Sequence, residues 1–282
     1  MKTYLSVSTA CSVLLAICPI VQAESVFLDF ESEGQFANNF RALYTAGGTA
    51  AQTTTSGSNG FVKHDRQTTT DKGIAYLYDT TPADATVATQ SVFVPTQAAP
   101  LTVSFDLYAA STSSAFAIIF ADASNANNNL TAMFKVDVSN KNDQFNFYRD
   151  GNVTTDGLLG TQVGTTSTQA TAIDVSSSST FTTGGGFSVT LSVVDSTPTL
   201  SLIAGGIMVE QTFSSGNFDW TDTTVILRLY DSGAGTGNGV GIDNFSITNI
   251  PVPEPAHAVA LLALIAAAAA AGVRLVVRRR QT

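Results

Sequence analysis

Residues 101–108 read Leu101-Thr102-Val103-Ser104-Phe105-Asp106-Leu107-Tyr108. Leu101, Val103, Phe105 and Leu107 fall on one side, and Thr102, Ser104, Asp106 and Tyr108 on the other. Successive side chains of an extended chain point to opposite faces, so a period of two marks a strand with one face on a core and one toward water. The same period returns in Phe116, Ile118 and Phe120, and in Phe134, Val136 and Val138 set against Met133, Lys135 and Asp137. Phe187, Val189, Leu191 and Val193 repeat it, as do Val225, Leu227 and Leu229. Helical spacing is almost absent between the two ends of the chain.

Shorter segments of the same kind are SVFLDFE, GIAYLYD, QSVFV, QFNFY, TLSLIA, IMVEQTF and VGIDNFSI, for about a dozen strands in all. Clusters of Gly, Ser, Thr, Asn and Asp separate them. Asp150-Gly151 reads as a two-residue hairpin turn. Two low-complexity stretches, Thr45 to Gly60 and Ser176 to Gly186, read as mobile surface loops, and no repeat of fixed period is present. A dozen antiparallel strands, each with one polar face, pack most economically as two sheets face to face. The expected fold is therefore all-β: a two-sheet, antiparallel, jelly-roll-like sandwich over residues 24–250.

The ends read differently. Residues 1–23 have the form of a secretory signal: Lys2, an apolar centre from Val13 to Ile17, and a small-residue site at Val21-Gln22-Ala23. Leu15 to Cys18 is a poor lipoprotein box, because Ile17 is bulky where a small residue is needed. Cys11 and Cys18 both lie in this segment, so an exported chain would hold no disulfide, thiolate metal site or cysteine nucleophile. The whole sequence carries 13 Lys and Arg against 22 Asp and Glu, a net charge of -9. Between Glu24 and Ile250 the balance is 8 against 21, a net charge of -13, which repels nucleic-acid phosphates. Nucleic acid is not an expected partner.

At the other end, Pro251, Pro253 and Pro255 resist helix, and residues 256–277 are almost wholly apolar. From Ala258 to Val277 a helix would reach roughly 30 Å, the thickness of a bilayer core. Arg278, Arg279 and Arg280 would stay on the cytoplasmic side. Val252-Pro253-Glu254-Pro255, a short hydrophobic helix and a terminal basic cluster together resemble the PEP-CTERM sorting signal of Gram-negative bacteria that make exopolysaccharide. The resemblance covers residues 251–282 only. It implies recognition and removal of the tail by an exosortase-type transpeptidase. It also implies transient anchoring in the inner membrane, then release to the cell surface or extracellular matrix.

Catalytic signals in the body are weak. Outside the two ends the only histidine is His64, beside Asp65, and a polar loop accounts for both. Paired carboxylates cannot be selected from 21 acids by spacing along strands. The body weakly resembles jelly-roll carbohydrate-binding modules, which often pair their first and last strands and hold a structural calcium near that junction. That likeness would bring Asp29, Glu31 and Asp243 together as calcium ligands. Aromatic side chains on exposed faces could stack on sugar rings, with Tyr108 and Trp220 the leading candidates and Tyr76, Tyr78, Tyr148 and Tyr230 behind them. The expectation is a non-enzymatic envelope or matrix protein, structural or adhesive. The alternatives are a lectin-like module for matrix polysaccharide and a glycan-active hydrolase or lyase.

Overall fold

The computed structural model describes residues 24–32, 34–45, 52–55, 61–65, 73–79, 93–109, 114–136, 142–152, 159–170, 183–214, 218, 220–231 and 239–249. The signal segment and the sorting motif, helix and basic tail lie outside this set. Among the described residues no helix is long and apolar enough to cross a membrane.

Among the described residues, fifteen strands form two antiparallel sheets. The first holds β1 (Glu24–Leu28), β3 (Gln52–Thr55), β4 (Phe61–Asp65), β6 (Leu101–Ala109), β11 (Thr183–Val194), β12 (Thr197–Ala204), β13 (Ile207–Thr212) and β15 (Gly239–Asn249). Its order is β13-β12-β11-β6-β15-β4-β3. The start of β15 pairs with β4, and its end pairs with β1, from Leu28↔Phe245 to Glu24↔Asn249. The first and last strands are thus neighbours, as expected. The second sheet holds β2 (Phe40–Thr45), β5 (Gly73–Tyr78), β7 (Ser114–Asp122), β8 (Asn125–Val136), β9 (Asn142–Arg149), β10 (Thr161–Ala170) and β14 (Thr223–Asp231). Its order is β10-β9-β8-β7-β14-β5-β2.

The inward faces interdigitate as the period of two requires. Leu101, Val103 and Leu107 are wholly buried from the first sheet, and Phe116, Ile118, Phe120 and Phe134 from the second. Aromatic rings tie the layers together. Phe105 meets Phe116 at 6.2 Å, and Phe245 meets Phe40 edge-on at 5.1 Å. One short helix, α1 (Gln35–Asn39), drops Phe36 onto Phe40 and Tyr76 between the sheets. It begins at Gly34, whose φ of 78° lies in the left-handed region that glycine enters without steric cost.

The structure corrects the sequence reading in five places. The Thr45–Gly60 stretch is not all loop, because Gln52–Thr55 forms β3 at a sheet edge. Strands β2, β4 and β10 are additional to those expected. QSVFV contributes only an isolated bridge, Phe93↔Thr223. Asp150-Gly151 is not a two-residue turn: Arg149 pairs with Thr161, so the connection runs over residues 150–160. Tight turns fall instead at Asp195-Ser196 and Gly205-Gly206, where positive φ at both central residues matches the twist of the flanking strands. The fifth correction bears on function. The outer face of the second sheet is not polar: Ala75, Leu77, Ile119, Ala121 and Ile226 form a separate buried apolar cluster there.

Candidate functional site: a depression on the outer face of the seven-stranded sheet

The cross-strand register fixes which side chains share that outer face. Ala75 (β5), Arg228 (β14), Ala117 (β7), Met133 (β8) and Asn146 (β9) stand side by side. In the next row come Leu77, Ile226, Ile119, Thr131 and Tyr148. On the other side of the Arg228 row lie Tyr230, Ala115 and Lys135. Strand β7 therefore presents methyl groups at 115 and 117, between strands that carry long side chains. The result is a depression of about 270 Å³, lined among the described residues by Ala115, Ala117, Met133, Lys135, Leu159, Arg228 and Tyr230.

Its electrostatics are local. Arg228 is 8% exposed, on a β14 residue flanked by Ala75 and Ala117. Its charge reaches Tyr148: burial pushes the Tyr148 phenol up, and the Arg228 guanidinium pulls it partly back. Thr131, 1% exposed, has a hydroxyl with no hydrogen-bond partner among the described residues. Such a buried group costs on the order of 1–3 kcal/mol unless something satisfies it. Asp79, just past β5, is an acid on this same face, and the half-exposed Arg41 holds it in an ion pair at 2.7 Å.

Two features shape the margins. A bulge in β10 between Val163 and Ser167 lets the Thr166 hydroxyl donate to Asn146 Oδ1 at 2.6 Å. Asn129, buried at the start of the 150–160 connection, donates to the Gly151 carbonyl at 2.6 Å and accepts from Gly151 N–H. Gly160 lies at φ 93°, where a Cβ would fall 2.1 Å from the Arg149 carbonyl oxygen. This close packing of Gly151 and Gly160 delivers Leu159 to the wall of the depression.

The residues singled out in the sequence are distributed as follows. Trp220 lies in the β13–β14 connection, stacked on Phe218 at 3.9 Å and packed against the core. It lines a cavity of about 60 Å³ with Asn128, Arg149 and Asp150. Tyr108 is in β6, with backbone paired to Thr183 and Gly241, and its side chain is outside the described residues, as is that of His64. Tyr76 and Tyr78 are core residues, each 3% exposed. Tyr148 and Tyr230 stand on the outer face of the second sheet, one row to either side of Arg228.

Asp29, Glu31 and Asp243 do come within electrostatic range of one another, joined by Asp106. Asp243 sits directly opposite Asp106 across β15 and β6, beside a bulge in which Asn244 takes φ 50° and donates to Asp106 Oδ2 at 3.0 Å. Desolvation first, then the neighbouring carboxylates, raise the Asp243 pKa, while the Asn244 N–H opposes them. Among the described residues, no group of three or more His, Cys, Asp or Glu side chains is arranged to hold a metal ion.

Fold and depression together define an antiparallel two-sheet β-sandwich with a cationic hollow on one outer face. No family model matches the sequence, and no curated protein matches it. Solved structures do resemble it at low identity. The legume lectin-like domain from Entamoeba histolytica has a TM-score of 0.47 at 8% identity, covering 79% of this chain and 95% of that one. The Emp47p carbohydrate recognition domain has a TM-score of 0.47 at 10% identity, covering 81% and 95%. The Bacillus licheniformis beta-glucanase has a TM-score of 0.45 at 8% identity, covering 80% and 97%.

Proposed function

We propose that this chain is an exported, non-enzymatic glycan-binding protein that attaches to matrix polysaccharide through the outer face of its seven-stranded sheet. One observation carries the reading. A broad sheet face, normally the polar side of such a layer, is here hollowed by alanines and rimmed by Tyr230, Lys135 and Met133. At about 270 Å³ the hollow is just below the small end of typical ligand sites, roughly 300 Å³, which suits one ring of a polymer more than a free oligosaccharide. Tyr230 offers apolar ring area with a polar tip, and Lys135 and Arg228 add hydrogen-bond donors, the mix that sugar recognition uses.

Binding of the full-length chain to a glycan array tests the reading. Ala117→Leu fills the floor of the hollow with a larger side chain and should abolish any binding seen, with the folded state intact by circular dichroism. Retention of binding by that variant would move the site elsewhere.

Delivery is the second half of the proposal. The Val252-Pro253-Glu254-Pro255 motif is read by an exosortase-type transpeptidase, with residues 256–277 holding the chain transiently in the inner membrane. Alanine at Pro253, Glu254 and Pro255 should leave the protein stranded there. Mass spectrometry of surface and medium fractions checks this, since an intact peptide spanning Ala258 to Arg274 in those fractions contradicts processing.

A further inference from the structure

We propose that the hollow is specific for an acidic sugar unit, with the carboxylate of a uronic acid held between Arg228 and Lys135. This rests on the glycan-binding reading above and narrows it to acidic polysaccharide.

The placement of charge supports it. The chain carries nine more acids than bases, yet two of the eight basic residues between Glu24 and Ile250 converge on one hollow. No carboxylate is among the described residues that line it. Arg228 is on β14 and Lys135 on β8, with only β7 between them and one residue pair of offset along the strands. Sheet spacing then sets their Cα atoms about 12 Å apart. Across that gap β7 offers only Ala115 and Ala117, so both long side chains overhang an empty floor.

Burying a cation costs free energy, and a sequence selected for packing alone would place an apolar residue where Arg228 lies at 8% exposure. A guanidinium has five donors in a planar fork that matches a carboxylate in bidentate fashion. Lys135 supplies a point charge from the opposite side. A neutral sugar would need none of this charge.

The test uses the full-length chain at about 0.15 M ionic strength, where the repulsion between the acidic body and a polyanion is screened beyond about 8 Å. The probes are a polyuronate, the same polymer methyl-esterified, a sulfated glucan and a neutral glucan. Expected are binding to the polyuronate, loss on esterification, and weakening of about tenfold in Lys135→Gln. That side chain is half-buried, so the variant should fold as the parent does. Arg228→Lys keeps the charge but loses the fork, and should weaken polyuronate binding without lowering the unfolding midpoint by more than a few degrees. Equal binding of free and esterified polymer, insensitive to Lys135→Gln, overturns the charge assignment and leaves glycan binding standing. Preference for the sulfated glucan over the polyuronate overturns the carboxylate. Failure to bind any of the four removes the glycan-binding reading itself.

Discussion

At the scale of single residues, Asp243 shows how a strand register creates an electrostatic cost that no local pattern announces. Asp243 faces Asp106 across a strand pair and also feels Glu31 and Asp29. Its folded-state pKa is raised, so the folded chain holds this proton more tightly than the unfolded chain does. Stability contributed by the proton is complete below the ordinary carboxylate range and is lost as pH rises through the raised value. Asp243→Asn keeps the oxygen that accepts from Asn244 N–H and removes the charge. It should raise the thermal unfolding midpoint at pH 7 and leave it unchanged at pH 3; an equal rise at both would point to packing. The sequence pointed to Asp29, Glu31 and Asp243 through the expected pairing of the end strands. Asp106 escaped notice because it lies 137 residues from Asp243, and only the β6–β15 register joins them. Lys135 and Arg228 escaped for the same reason. A signal was nevertheless present: the segment Ala115 to Ala121 puts large residues on one face and mostly alanine on the other, the mark of a strand whose second face has been kept low.

At the scale of elements, alternating hydrophobicity was legible in the longer strands that bury one face in the main core, and not in the short strands β2 and β4. It located β1, β5 to β7, β9 and β11 to β15 to within a few residues, and only the C-terminal part of β8. Strands β3 and β10 were illegible because they sit at sheet edges, where polar runs such as Gln52–Thr55 and Thr161–Ala170 owe their conformation to a paired neighbour. The β9–β10 connection was misread because Asp150-Gly151 has good hairpin chemistry, but Asn129 captures the Gly151 backbone and diverts the chain. Gly160 then becomes the residue that permits return. Gly160→Ala combines a positive φ with a contact of 2.1 Å to backbone, and should destabilise the fold by about 1–3 kcal/mol in chemical denaturation. Because Leu159 is its immediate neighbour, the same substitution should weaken ligand binding at temperatures where the protein remains folded. Unchanged stability and affinity would show that the connection has an easy alternative path.

At the scale of the whole molecule, two sheets with different outer faces divide the labour. The outer face of the eight-stranded sheet is a lawn of small hydroxyls: Thr102 meets Thr190 at 3.0 Å, and Ser104 meets Ser246 at 2.7 Å. Further along the same strands it carries the facing carboxylates of Asp106 and Asp243. The opposite outer face holds the hollow. Fold class was readable from the period of two, since burying one face of so many strands leaves few architectures. The site was not, since it arises where β14 is brought beside the β7–β8 hairpin from far along the chain.

Glu24 and Asn249 are partners at one end of a ladder, so the chain enters and leaves the sandwich at the same spot. Tension applied between those two ends would peel β1 from β15 one hydrogen bond at a time, a zipper geometry with little mechanical resistance. Load entering through a single end and leaving through the far sheet would instead be spread over many rungs at once. A sandwich built this way resists load best when gripped by one terminus alone.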